Sequence, residues 1–228
     1  MAIRRYDSIW AGDRAREYES ENYGRGLNGF VLRRSHMLIE KPYTEASKFS
    51  RVLEVGAGSG IHVRFVRHQF DEYVMTDVSE DMTAQLQRDL SEGCKPRITF
   101  QTENACKLSF SDHCFDRVIA THVLEHLPSP QLVVEEWHRV LKPGGVLSIV
   151  LPCDPGLAWR FGRMLGPRAA ALRRGLDYDY LVAVEHINAI TNLIAILRHH
   201  FGVRKEYWWP SLLPQSDINL IFAANITV

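Results

Sequence analysis

The sequence predicts an α/β fold, a mostly parallel, doubly wound sheet with helices on both faces, on three observations. Val52, Leu53 and Val55 make a short apolar run that breaks into glycines at alternate positions, Gly56, Gly58 and Gly60. The next residues, Ile61-His62-Val63-Arg64-Phe65-Val66, place Ile61, Phe65 and Val66 on one face of a helix. A second apolar run, Tyr73 to Asp77, is again followed by a helical pattern, and Val146 to Leu151 is apolar throughout, as befits a central strand covered on both sides.

Composition bounds the rest. A chain of 228 residues suffices for one domain, with or without a cap, and buries roughly 70% of its extended surface. Lys plus Arg and Asp plus Glu are both 27, so net charge is zero and nucleic acid loses support as an obligatory partner. No apolar run approaches the roughly 20 residues of a membrane span, and no signal-peptide core is expected at the start. Cys94, Cys106, Cys114 and Cys153 contain no C-x-x-C pair; they suggest no metal cage and read as reduced thiols of a cytoplasmic protein.

Residues 1–48 have a different texture from the remainder, 49–228, and are expected to form an N-terminal helical cap. Tyr6, Trp10, Tyr18, Tyr23 and Phe30 are interleaved with charges, and Gly24, Gly26 and Gly29 interrupt any long early helix. From Leu27 to Lys41 the spacing of Val31, Leu32, Ser35, Leu38 and Ile39 predicts a helix that Pro42 stops.

The glycine stretch comes next. A strand, a glycine turn and a helix start present free N–H groups and a positive dipole end to an anionic part of a ligand. The spacing departs from the dinucleotide pattern G-x-G-x-x-G, because the third glycine comes one residue early and Ile61 stands where glycine is needed. Glu54 faces the same pocket, where a carboxylate repels a pyrophosphate and binds an ammonium. These two features disfavour a nicotinamide oxidoreductase. Asp77 ends the next strand at the interval of a ribose-binding acid. Amino group, carboxylate and ribose without phosphates describe S-adenosylmethionine.

After Asp77, Ser79 is a candidate N-cap with Glu80 and Asp81 in the first turn. Met82, Leu86 and Leu90 recur every four residues, so this helix has an inward stripe. Ile98 to Thr102 reads as the third strand and Phe115 to Thr121 as the fourth. Thr121-His122-Val123-Leu124-Glu125-His126-Leu127 lies beyond the carboxyl end of that strand, where open α/β sheets place ligands. His122 there either takes a proton from an acceptor, its ordinary pKa lying near working pH, or fixes the loop. Val133, Trp137, Val140 and Leu141 form a helical face, which Lys142-Pro143-Gly144-Gly145 is expected to end with a glycine cap.

Residues 152–183 read as an insertion after the fifth strand. From Gly156 to Arg174 it has five arginines and no acid. It is either a solvated face or a basic apolar surface for an anionic or membrane-borne acceptor, with Arg160 a contact. Thr191 to His200 predicts a helix, Val203 to Trp208 a sixth strand and Asn219 to Asn225 a seventh.

Four motifs in this order, E-V-G-A-G-S-G, T-D-V-S, F-D-R-V-I-A-T-H-V-L-E-H-L and L-K-P-G-G, resemble the class I (Rossmann-like) S-adenosylmethionine-dependent methyltransferase family. The resemblance is strong from Phe49 to Leu151. It implies a seven-stranded sheet whose last strand inserts antiparallel between the fifth and sixth. It implies cofactor contacts from Glu54, Gly56, Ala57, Gly58, Asp77, Thr121 and His122, with Val78 and Met82 flanking the adenine. Met82 suits simple core packing equally. Asn104 and Ala105 would read the adenine edge, Asn standing where an acid is common. The N-terminal segment becomes a lid with Tyr23 at the pocket, His186 a second base candidate, and His126 an acceptor contact. The expected reaction is methyl transfer to an O or N atom of a small-molecule, sugar or lipid-linked acceptor. DNA is not expected, since the signatures of base methylation are missing. The competing expectation is a cofactor-binding protein without transfer that acts in an assembly.

Overall fold

The computed structural model describes residues 26–91, 97–173 and 175–228. In chain order the elements are α1 (Leu27–Glu40), β1 (Lys48–Val55), β2 (Gln69–Asp77), α2 (Glu80–Ser91), β3 (Ile98–Thr102) and β4 (Phe115–Thr121). They continue with α3 (Pro130–Val140), β5 (Leu141–Pro152), α4 (Leu157–Leu165), α5 (Pro167–Arg173), α6 (Tyr178–Glu185), α7 (Ile190–His200), β6 (Val203–Trp209) and β7 (Ile221–Thr227). The seven strands form one sheet in the order β3-β2-β1-β4-β5-β7-β6. β1 to β5 pair in parallel, and β7 runs antiparallel to both β5 and β6. This is the doubly wound sheet that the sequence predicted, with the last strand inserted as expected.

Strand alternation sorts side chains onto two faces. Leu53, Val55, Val118, Leu147, Ile149, Ala224 and Ile226 pack with Val133, Val134, Trp137 and Val140 of α3 and Leu193, Ile194 and Leu197 of α7. Val52, Tyr73, Met75, Ile119, Val150 and Ala223 point the other way, toward Val31 and Ile39 of α1 and Leu86 of α2. α1 lies against β5 and β7 and so forms part of this second layer. Residues 1–25, including Tyr23, lie outside the described residues.

Two local expectations are corrected. The helix predicted over Ile61–Val66 is a four-residue 3₁₀ turn, Ile61–Arg64, entered through Gly60 in the left-handed region. His62 is fully buried in it, within 3.0 Å of His36 Nδ1, and the chain re-enters the sheet at Gln69. So short a turn has no aligned dipole to offer an anion. Second, Lys142-Pro143-Gly144-Gly145 is no helix cap. α3 ends at Val140, Leu141 already pairs with Phe115, and the ladder shifts register before resuming at Val146 with Arg117. Gly144 takes φ 79° and donates to the Val228 carbonyl, so these residues form an irregularity within β5.

Tyr178–His200 is long and apolar enough, by composition, to cross a membrane. It is nonetheless broken into α6 and α7 at residues 186–189, and α7 buries Ile190, Leu193, Ile194 and Leu197 in the core. The stretch is a pair of domain helices.

Candidate active site

Reversal of the strand order between β1 and β4 opens a crevice at the carboxyl ends of these strands. β1 runs into Gly56, Gly58 and Gly60, whose φ angles of 64°, 53° and 68° demand residues without a side-chain penalty. Gly56 is also required by space, because a Cβ there would stand 2.6 Å from Val123 Cγ2. The glycine loop and the segment after β4 therefore meet directly. Ala57 N donates to the Thr76 carbonyl and Gly58 N donates to Asp77 Oδ2 at 3.1 Å, which ties the loop to the end of β2.

Asp77 Oδ1 accepts from Ser79 N at 3.0 Å, and the Ser79 hydroxyl accepts from Met82 N as the N-cap of α2. Val78 is 71% exposed beside the loop, whereas Met82 is buried. Glu54 is buried at the end of β1 and accepts a 2.7 Å hydrogen bond at Oε2 from the Tyr73 hydroxyl. Burial pushes its carboxyl pKa up, against the opposing pull of His62 and Tyr73. Across the crevice Asn104 Oδ1 caps the next turn by accepting from Cys106 N at 2.9 Å. The Ala105 carbonyl accepts from Trp137 Nε1 at 3.0 Å.

Thr121 ends β4 half-buried, and His122 follows with φ 57°, a conformation that a non-glycine residue adopts only under surrounding constraint. Ser35 on α1 donates its hydroxyl to the Leu32 carbonyl at 2.7 Å, so its oxygen accepts from His122 Nε2 at 3.0 Å. His122 Nδ1 faces Glu125, 3.7 Å from its Oε1. His126 Nε2 lies 3.8 Å from the same oxygen, while its Nδ1 donates to the Glu185 carbonyl at 2.7 Å. Burial raises the Glu125 carboxyl, yet the His122 ring beside it and the charges of His126 and His186 win and hold it below its usual range. Burial likewise lowers His126.

His186 closes this row. Its ring meets His126 edge-on, with centroids 5.0 Å apart, and stacks at 6.5 Å over Trp159. His186 Nδ1 lies 2.9 Å from Asp154 Oδ2. A carboxylate on Nδ1 fixes the tautomer that leaves Nε2 as proton acceptor. Arg163 approaches the same oxygen at 3.7 Å. Arg160 stands apart from the histidines. With Arg163, Met164, Arg168 and Asp179 it lines a cavity of about 300 Å³ within the insertion. A larger cavity, about 830 Å³, is lined by Glu45, Val66, Arg67, His68, Gln69, Phe70 and Arg97 at the amino ends of the strands, away from the crevice.

The structure thus brings together Glu54, Gly56–Gly58 and Asp77, and separately the row His122, Glu125, His126, His186 and Asp154. Asp154 was missed; its signal is a lone acid directly after the fifth strand, in the turn Cys153-Asp154-Pro155-Gly156. Glu125 carried a signal too, the i, i+3 spacing from His122.

Comparison with known proteins agrees with this geometry. Residues 53–149 match the family model described as a methyltransferase domain. Over 121 residues the chain is 34% identical to a phosphatidylethanolamine N-methyltransferase of Cereibacter sphaeroides, a match covering 53% of this chain and 55% of that protein. The chain thus spans about half of that relative's length. Among solved structures, the CurJ carbon methyltransferase superposes with TM-score 0.67 at 17% identity, covering 97% of this chain and 61% of that one. The Haemonchus contortus phosphoethanolamine N-methyltransferase 2, solved with S-adenosyl-L-methionine, has TM-score 0.63 at 15% identity, covering 96% and 57%. At such identities the structural matches speak for the fold. Motif order and the family match thus identify residues 53–149 as a methyltransferase domain, and the sheet topology is that of the class I S-adenosylmethionine-dependent methyltransferase fold.

Proposed function

We propose that this chain transfers a methyl group from S-adenosylmethionine to an O or N atom of a small-molecule, sugar or lipid-linked acceptor. The observation that carries the reading is the Gly58 N to Asp77 Oδ2 contact at 3.1 Å, which sets the glycine loop against the end of β2 at the switch point. The donor set fits the cofactor. An ionised carboxylate has about four lone-pair sites, and Asp77 spends two on Gly58 and Ser79, leaving sites for ribose hydroxyls. Tyr73 engages Glu54 at Oε2, so Oε1 is left to accept from an ammonium. Val78 and Met82 border the adenine, and Asn104, Ala105 and Thr121 complete the rim.

When bound, the cofactor supplies an electrophilic methyl on a sulfonium. The chain's part is to align an acceptor with it, which contributes up to about 7–11 kcal/mol in favourable cases, and to receive a proton. Of the two base candidates the geometry favours His186, whose Nδ1 is committed to Asp154 and whose Nε2 is free to accept. His122 has both nitrogens turned to protein groups, Ser35 and Glu125, and acts by shaping the crevice.

Calorimetry with S-adenosylmethionine and methyl-transfer assays test this. Asp77→Ala should weaken cofactor binding by roughly 1.5–3 kcal/mol for each charge-assisted hydrogen bond lost. Unchanged affinity would remove the basis of the proposal. His186→Ala should lower kcat by about 10²–10⁴-fold while cofactor affinity stays close to wild type.

A further inference from the structure

We propose that α4 and the β6–β7 loop form a docking face for an anionic lipid surface. α4 carries Leu157, Phe161 and Met164 at i, i+4 and i+7, on one side of the helix, and they are 65%, 62% and 64% exposed. The β6–β7 loop adds Leu212, 91% exposed, with Leu213 and Ile218 also exposed. The two elements form one unit. The Ser216–Ile218 turn packs on α4, and Leu157 N donates to Asp217 Oδ1 at 3.2 Å. Gly156 lets the backbones close, since a Cβ there would stand 2.4 Å from the Ser216 carbonyl oxygen. Single exposed apolar side chains are ordinary, but six on two joined elements mark an interaction surface.

Charge selects the occupant. The same segment, Gly156 to Arg174, carries five arginines and no acid in a chain of zero net charge. Arg168 is paired with Asp179 at 2.7 Å, whereas Arg160 and Arg173 are exposed with no carboxylate partner among the described residues. Apolar side chains that enter the headgroup region, flanked by arginines that meet anionic headgroups, are the physical signature of interfacial attachment. Position adds a consequence. β6 runs in the same direction as β5, both being antiparallel to β7, so α4 and the β6–β7 loop extend from the carboxyl edge of the sheet. The glycine loop and His186 open at that same edge. Docking therefore turns the crevice toward the bilayer, and, resting on the methyl-transfer reading, the acceptor is one presented from a lipid surface.

Co-sedimentation of the full chain tests this with vesicles of phosphatidylcholine alone and of phosphatidylcholine mixed with phosphatidylglycerol. The expected result is binding to the mixed vesicles at low salt, release at high salt as the charges are screened, and little binding to the neutral ones. Phe161→Asp combined with Leu212→Asp should lower partitioning at least about tenfold, with S-adenosylmethionine affinity unchanged as the control for folding. Absence of binding at low salt, or equal binding by the double variant, overturns the proposal. So does concentration-dependent dimerisation of the wild type that the double variant abolishes, which would assign the face to a second copy. Vesicle binding without methyl transfer would leave docking intact and refute the proposed activity; transfer without vesicle binding would do the reverse.

Discussion

Under α3 and α7 the sheet meets its helices through aliphatic side chains and Trp137, whereas under α1 it buries a polar row. There Arg117 of β4, fully buried, lies 2.7 Å from Glu40 Oε1 at the end of α1 and donates to Ser148 Oγ at 2.9 Å. Ser148 passes a 2.6 Å hydrogen bond to Asn225, and Asn225 Nδ2 donates to the Ile39 carbonyl at 3.0 Å. The guanidinium also lies over the Tyr43 ring at 4.4 Å. Glu40 and His62 approach to 3.3 Å, and His62 reaches His36 at 3.0 Å. One face is held by area, which is non-directional; the other clamps the last turn of α1 by directed bonds. Ser35, which holds His122, lies on that same helix. Directed bonds place α1 and its serine at a set position, at the cost of sensitivity to single changes and to acid.

The largest expected effect breaks the polar face alone. Arg117→Met strands the Glu40 carboxylate and should destabilise the protein by about 3–5 kcal/mol, read as a lower urea midpoint. Adding Glu40→Met should recover most of the loss, because a buried pair replaced by apolar groups is close to neutral. A neutral single variant would show that the pair does not tether α1.

Acid should separate the faces next. Burial, aided by Arg117, lowers His68 from its usual 6.5 to about 4, and burial with His62 and His122 also lowers His36. The unfolded chain takes protons near pH 6.5 that these buried rings refuse, so stability falls as pH drops from there toward 4. Burial works to raise Glu40, but His62 and Arg117 bring it from 4.5 to about 2, so a second loss runs from pH 4.5 toward 2. Urea midpoints across this range should show both steps in the wild type. In Arg117→Met with Glu40→Met the lower step should shrink, leaving the part that Glu125 contributes, and the upper one persist, since burial remains its main cause.

The smallest effect sharpens the contrast from the apolar side. Ile226→Val, on the face packed by α3 and α7, should cost about 0.5–1.5 kcal/mol. The loss should be the same at neutral and mildly acidic pH. A pH-dependent cost there would mean that the two faces are coupled.

Much of this architecture was legible. β3 and β4 have the bounds that their apolar runs predicted, and α1 starts at Leu27 and stops before Pro42. The inserted last strand followed from the family resemblance that the motif order carried. The polar face was not legible, although Arg117 stands inside an otherwise apolar strand. Its partners come from Glu40, Ser148 and, through the latter, Asn225, so no local pattern announces them. His186 was named, but the choice between it and His122 required Asp154, 32 positions away.

By itself the sequence determined what depends on neighbours along the chain. Apolar period, glycine spacing and capping residues act over a few residues, and they set the strands, the glycine loop and the Ser79 start of α2. Tertiary structure decided what depends on partners distant in sequence. It shortened the helix after Gly60 to one turn because His62 is drawn into the buried cluster with His36 and Glu40. It drew Leu141–Gly145 into β5 because Leu141 finds Phe115 across the ladder and Gly144 finds Val228. It set Asp154 against His186 Nδ1, since a carboxylate acts on a ring nitrogen only across the short distance that folding creates.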